Sequence, residues 1–181
     1  MTEPIGIETL RKLREEFDRS FATLPEPPPV LEDLLEVVTG TLTCVLRLRE
    51  LRAINAGVRV TPLPTPVPEL IGVAEFRGDA LPVYDLGALL GRPAGAHGNR
   101  IDIAIAAARP VALAFDRTGR HHRAGARDIL PCVGEGTSMP HVREMLHVDG
   151  VVRPIVSLAS LVADIERRAE PRPSPEDHTR R

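Results

Sequence analysis

The sequence predicts an all-β body made of two similar small β subdomains, with a helical extension in front and a tail behind. Three observations carry this reading. Apolar residues in the body alternate with period two, the spacing of half-buried strands. Proline, with 18 of 181 residues, is about twice its usual share and disfavours a helical bundle. A hairpin-plus-helix pattern also occurs twice, offset by 72 residues, as a repeat architecture requires. A hydrophobic share of 43% suffices for a packed core. With four Phe, one Tyr and no Trp, that core is built from Val, Leu, Ile and Ala.

The chain opens with Ile7, Leu10, Leu13, Phe17, Phe21 and Leu24 at steps of three and four, one apolar stripe on a helix spanning 1–24. Pro4 suits its first turn. The prolines of 25–29 make a stiff spacer, so 25–32 reads as a linker. An isolated helix of this length is marginal in water. The stripe therefore buries against its own domain, a partner or a second copy.

The body is expected over 33–168. Leu34 to Val38 form one strand, Thr39-Gly40 a turn, and Leu42, Cys44 and Leu46 a second strand alternating with Thr43, Val45 and Arg47. Leu48, Leu51 and Ile54 follow at steps of three. Residues 61–68 carry alternate prolines, cannot join a central ladder, and read as an extended crossover offering Leu63 and Val67. Then comes the repeat. Gly78-Asp79-Ala80-Leu81-Pro82-Val83 lies on Gly150-Val151-Val152-Arg153-Pro154-Ile155, and Leu86, Leu89 and Leu90 lie on Leu158, Leu161 and Val162. Asp85 and Ser157 stand at equivalent helix-cap positions, and Gly91 closes the first helix. Between the copies, Ile101, Ile103 and Ile105 share one strand face, and Val111, Leu113 and Phe115 another. The two β subdomains are expected at about 33–91 and 98–168, and the charged segment 169–181 as a disordered tail.

Chemistry-bearing motifs do not emerge. There is no nucleophile elbow, no phosphate loop with its lysine and no zincin helix, so neither an enzyme nor a cofactor is expected. Metal binding is not expected either: His121 and His122 are adjacent, and Cys132, His141 and His147 match no common zinc spacing. Cys44 and Cys132 read as two buried free thiols, with a single 44–132 bridge as the alternative. The start lacks a secretory layout, and the longest apolar stretch, Ile103 to Ala108, is far too short for membrane insertion. A cytoplasmic protein is expected. The net charge of −2 disfavours a general nucleic-acid binder. Arg117, Arg120, His121, His122, Arg123 and Arg127 form a basic stretch that would suit a small-barrel nucleic-acid site, but no aromatic follows Phe115 to stack on bases.

Val60-Thr61-Pro62-Leu63-Pro64, then Leu70-Ile71-Gly72-Val73-Ala74-Glu75-Phe76-Arg77-Gly78, then Leu81-Pro82-Val83-Tyr84-Asp85-Leu86 resemble the signature of CheW-like domains. Val111 to Asp116, Val148-Asp149-Gly150 and Pro154-Ile155 resemble that family's second half. The resemblance covers 33–168 and implies two five-stranded Src-homology-3-like barrels. It also implies a non-enzymatic adaptor that couples the cytoplasmic tip of a chemoreceptor (a methyl-accepting chemotaxis protein) to a CheA-type histidine kinase. Receptor binding in the family uses an apolar groove between barrels. Leu48, Leu51, Ile54, Val111 and Leu113 are expected to line it here, with Arg77 matching the motif arginine at the receptor-facing surface. Gly78, Pro82 and Asp85 match motif positions that serve as turn, strand edge and helix cap, and Gly150 and Pro154 repeat the first two. The chain departs from the family at three places. Ala53 stands where an acidic partner for the motif arginine is common, with Glu50 the nearest carboxylate. Glu75 replaces an asparagine, and 117–123 is polar. A divergent scaffold that has lost kinase binding and recruits another partner through its leading helix is the alternative.

Overall fold

The computed structural model describes residues 7–22, 30–95, 100–132 and 139–169; the 25–29 prolines and the 170–181 tail lie outside them. The chain divides into two units, 1–30 and 31–181. The first holds helix α1 (Ile7–Ala22), along which residues 8–17 are all exposed.

The second unit contains eleven strands, among the described residues, in two sheets. β1 (Glu32–Thr39) and β2 (Leu42–Arg47) form a hairpin, and a 3-10 turn (Leu48–Glu50) carries the chain to β3 (Leu51–Arg59). β4 (Leu70–Phe76), β5 (Asp79–Asp85), the short helix α2 (Leu86–Leu89), β6 (Arg100–Ala106) and β7 (Ala112–Phe115) follow. β8 (Arg117–Ala124), β9 (Ile129–Pro131), β10 (Val142–Val148), β11 (Val151–Val156) and helix α3 (Leu158–Ala169) complete it. One sheet runs β3-β6-β7-β5-β4 and the other β8-β1-β2-β11-β10-β9. The second thus has six strands, one more than expected, because β9 adds to the free edge of β10.

The two units of the repeat superpose in backbone detail. Left-handed residues Arg77 and Gly78 (φ 54° and 89°) turn the first hairpin; Asp149 and Gly150 (53° and 72°) turn the second. Pro82 lies opposite Val73, and Pro154 opposite Met145. Asp85 accepts from the Ala88 amide at 3.0 Å, and Ser157 from the Ser160 amide at 3.3 Å. Pro82 and Pro154 are not on edge strands. Both sit on interior strands one residue before the parallel ladder starts, at Val83 with Ala112 and at Ile155 with Val45, so no ladder donor is missed.

The sheets do not follow one another along the chain as 33–91 and 98–168. Each hairpin–helix unit needs another hairpin parallel to its second strand. For β5 that is β6–β7, which follows α2; for β11 it is β1–β2, from the start of the body. The chain therefore begins in one sheet, crosses at the 3-10 turn, builds the other, and returns at β8.

Period-two alternation divides the apolar residues among three cores. Ile101, Ile103, Ile105, Ala112 and Ala114 fill the curl of the β3–β7 sheet. Leu34, Val45, Leu146 and Ile155 fill the other curl. Cys44, Leu46, Leu113, Phe115 and Val156 face the opposite way and meet Leu86, Leu158, Leu161 and Ile165 of the helices, joining the sheets. Burial pushes the Cys44 thiol up to about 12, whereas Cys132 is only half-buried, contrary to expectation. The proline crossover bonds to β4 at Thr61–Val73 (2.8 and 2.9 Å), leaves Leu63 exposed and tucks Val67 beside Tyr84 and Ile165.

Gly72 makes that bridge possible, since a Cβ there would lie 2.2 Å from the Thr61 carbonyl oxygen. Gly72→Ala is expected to cost about 2 kcal/mol or more in urea unfolding. Gly150→Asn, in open space at a left-handed φ that Asn tolerates, should cost less than about 1 kcal/mol.

Candidate functional site

Where the chain crosses between sheets, three elements enclose a cleft of about 350 Å³. Arg49 and Glu50 come from the 3-10 turn, Ala106, Ala107 and Ala108 from the end of β6, and Leu158, Ala159 and Val162 from α3. Ala107, Ala108 and Ala159 are exposed while Leu158 and Val162 are buried, so the cleft is open with an apolar floor. Small side chains let another backbone approach closely.

Glu50 holds the three elements together. Its carbonyl accepts from the Ala107 amide at 2.8 Å, and its Oε2 accepts from the Leu158 amide at 3.0 Å, at the start of α3. A carboxylate there is favoured by the unsatisfied amides and the helix dipole. It serves the helix, not Arg77. The Arg77 guanidinium lies 5.2 Å from the Phe76 ring centroid, and that of Arg52 lies 5.8 Å from it, so the motif arginine rests on an aromatic face. Arg109, beyond the alanines, pairs with Glu166 of α3 at 2.6 Å on the rim.

The six residues expected to bind the receptor do not form one surface. Val111 and Leu113 are 7% and 0% exposed and belong to the core between the sheets. Leu51 packs against that core, half-buried. Ile54, 36% exposed, pairs with Ala104 as Leu51 pairs with Ala106, so a β-bulge between Leu51 and Ala53 keeps both on one face of β3. Leu48 is half-buried in the turn, and Arg77 is exposed at the β4–β5 hairpin. What opens at the seam is the alanine cleft, signalled in the sequence only by the run Ala106-Ala107-Ala108. Asp85 is buried and accepts from Ala88 and, at 2.8 Å, from the Gly95 amide.

On the far side of α3, His141 Nδ1 lies 3.0 Å from Ser160 Oγ and its Nε2 lies 3.6 Å from Asp164 Oδ2. Serine, imidazole and carboxylate in a row suggest a nucleophile. Asp164, however, already takes Arg167 and Arg168, each at 2.6 Å, and the cleft opens on the opposite helix face. The group clamps α3 to the start of β10. Burial, with Arg168 and Arg167 nearby, outweighs Asp164 and lowers the His141 pKa below its ordinary 6.5.

The basic strand β8 lies at a sheet edge beside acidic residues of β1. His121 meets Asp33 at 3.0 Å, and His122 meets Glu36 at 3.2 Å, so the adjacent histidines diverge. Burial raises the Glu36 pKa, but the Arg120 amide, His122 and Arg153 prevail and hold it below the usual carboxylate value. Among the described residues no group of three His, Cys, Asp or Glu side chains is arranged to hold a metal, and no helix is long and apolar enough to cross a membrane.

Two curled sheets that share an apolar seam, built from a duplicated hairpin–helix unit, define an all-β domain of two paired half-barrels. Residues 33–166 match the CheW-like domain family, and the chain belongs to it. No curated protein matches it at the sequence level. The scaffolding protein TtCheW from Thermoanaerobacter tengcongensis has a similar structure: 18% identity, TM-score 0.64, over 73% of this chain and 92% of that one.

Glu50→Ala should lower stability by about 1 kcal/mol and Glu50→Gln by less than half as much, read as urea midpoints. A histidine held neutral destabilises the fold once the unfolded chain protonates. His141 therefore contributes fully above pH 6.5 and loses its contribution as pH falls below it. His141→Asn, which tolerates the φ of 61°, should flatten the dependence of melting temperature on pH between ~5 and ~7 relative to the unaltered protein.

Proposed function

We propose that this protein is a cytoplasmic coupling scaffold that joins the helical tip of a chemoreceptor to a CheA-type histidine kinase. The observation that carries the reading is the cleft at the seam, open to solvent and lined by exposed alanines over an apolar floor of Leu158 and Val162. It fits the apolar side of a helix better than a small polar substrate. Burying each large apolar side chain there is worth ~1.5–3 kcal/mol, so a few suffice for micromolar contact. The edge strands β3, β8 and β9 offer backbone for pairing with the similar domain of the kinase. Coupling requires that the scaffold bind one state of the kinase better than the other, since equal affinity would shift nothing.

Leu51→Asp is a poor probe because Leu51 packs on the core. Ala107→Glu combined with Ala159→Glu places charge on exposed cleft positions and should leave the unfolding midpoint within about 0.5 kcal/mol. Co-sedimentation with receptor-bearing membranes should fall at least about tenfold, the loss of one apolar anchor or ~1.4 kcal/mol. Unchanged co-sedimentation would remove the cleft from the receptor site. Failure of the full-length protein to capture the kinase would favour the divergent scaffold instead.

A further inference from the structure

We propose that the edge strand β8 takes a strand of acidic residues from a partner protein, selected by Arg117 and Arg120. β8 forms the end of its sheet, so one of its two edges carries unpaired backbone groups. Its register against β1 slips once. Leu35 faces His121 and Val37 faces Thr118, which leaves Gly119 and Arg120 together opposite Glu36. This is a β-bulge, and it re-aims the side chains beyond it. In strict alternation Arg117 and Arg120 would lie on opposite faces of the strand. The bulge sets both on the Glu36 face, and both are exposed. Gly119 permits it, since a Cβ there would meet that of Glu36 at 2.8 Å.

The carboxylates along this strand are committed elsewhere. Asp116 Oδ2 accepts from the Gly40 amide at 2.6 Å, and Asp128 Oδ2 from the Gly125 amide at 2.8 Å. Asp33 takes His121 and Arg123, and Glu36 takes His122, Arg153 and the Arg120 amide. Among the described residues no ion pair engages the Arg117 or Arg120 guanidinium. Two uncompensated guanidinia beside an open backbone edge define the occupant. A second copy of β8 would bring like charges together across the strands. Nucleic acid is the poorer fit, because two arginines release few counterions and Phe115, the nearest aromatic along the chain, is buried. An acidic strand satisfies both features. Main-chain bonds supply the affinity, and carboxylates opposite the arginines supply the choice of partner. The inference rests on the reading of β8 as a pairing edge and adds the charge of what pairs there.

The test is fluorescence anisotropy of a labelled synthetic peptide of alternating glutamate and threonine, titrated with the full chain. The unaltered protein should bind it at low salt and release it as salt rises. Arg117→Ser with Arg120→Ser should weaken binding about tenfold. Arg59→Ser with Arg143→Ser removes equal charge from exposed sites elsewhere and should leave binding unchanged. Thr118→Arg with Arg120→Thr keeps the net charge but moves one guanidinium to the other face. It too should weaken binding, with the unfolding midpoint unaltered. The same peptide N-methylated throughout keeps its charge, has no main-chain donors and should not bind. No binding by the unaltered protein, equal binding of oligothymidylate, or a face exchange without effect overturns the proposal. Equal binding of the N-methylated peptide overturns the strand pairing. Neither receptor nor kinase is present, so the outcome is separate from the coupling reading. A chain that captures the kinase and ignores the peptide loses this inference and keeps that reading.

Discussion

Everything in the body depends on burying β2 and β7 on both faces. Each is a short strand with apolar residues in nearly every position, Cys44-Val45-Leu46 in one and Ala112 to Phe115 in the other. One face closes the curl of its own sheet and the other joins the opposite sheet and the helices. That two-sided burial needs a parallel neighbour, β11 for β2 and β5 for β7, which brings a helix across the seam each time. The duplicated unit supplies the neighbour, and the interleaved hairpins supply the strand to be covered. Neither sheet is complete in one continuous stretch of chain, so the two halves are bound to form together.

The seam follows from this arrangement. Because β1–β2 belongs with β11, the chain must leave one sheet at Glu50 to start the other, and the crossing lies against the first turn of α3. A carboxylate there binds a helix terminus 108 residues away in sequence while its backbone holds the β6 turn. The gap left between turn, strand end and helix is floored by leucine, valine and alanine. The same constraint that welds the sheets therefore leaves an apolar recess at their junction, where a partner's helix can touch both.

Fold class was legible because alternation and repetition are local signals. Leu42, Cys44 and Leu46 mark a strand wherever they occur, and a glycine turn, a proline and a cap recurring together mark a unit. Which hairpin completes which sheet was not legible, since that depends on pairing between distant segments. The same limit defeated the groove assignment. Leu51 and Ile54 do share a face of β3, through a β-bulge between Leu51 and Ala53 that no spacing announces, but Leu51 is packed on the core. Val111 and Leu113 are apolar enough for a groove or a core, and spacing alone does not choose. Alanines carry no pattern of their own, so the cleft they line was invisible, as was the long-range cap at Glu50.

The two curls differ in a way that bears on how a scaffold can respond. The β3–β7 interior is apolar throughout the described residues of its core. In the other, Arg47 and His122 both stand opposite Leu34, so charged groups flank the apolar centre. Arg47 is 6% exposed and is held by Glu32 at 2.7 Å and Glu144 at 2.6 Å, while His122 and Arg153 converge on Glu36. Arg47 is stabilised there only while its carboxylate partners are ionised, since a lone buried charge costs more than the pair returns. Glu36 titrates below the ordinary carboxylate, so its contribution holds at neutral pH and is lost as pH falls through that lowered value. The sheet that carries the basic edge strand β8 is therefore held by side-chain pairs added to its apolar core.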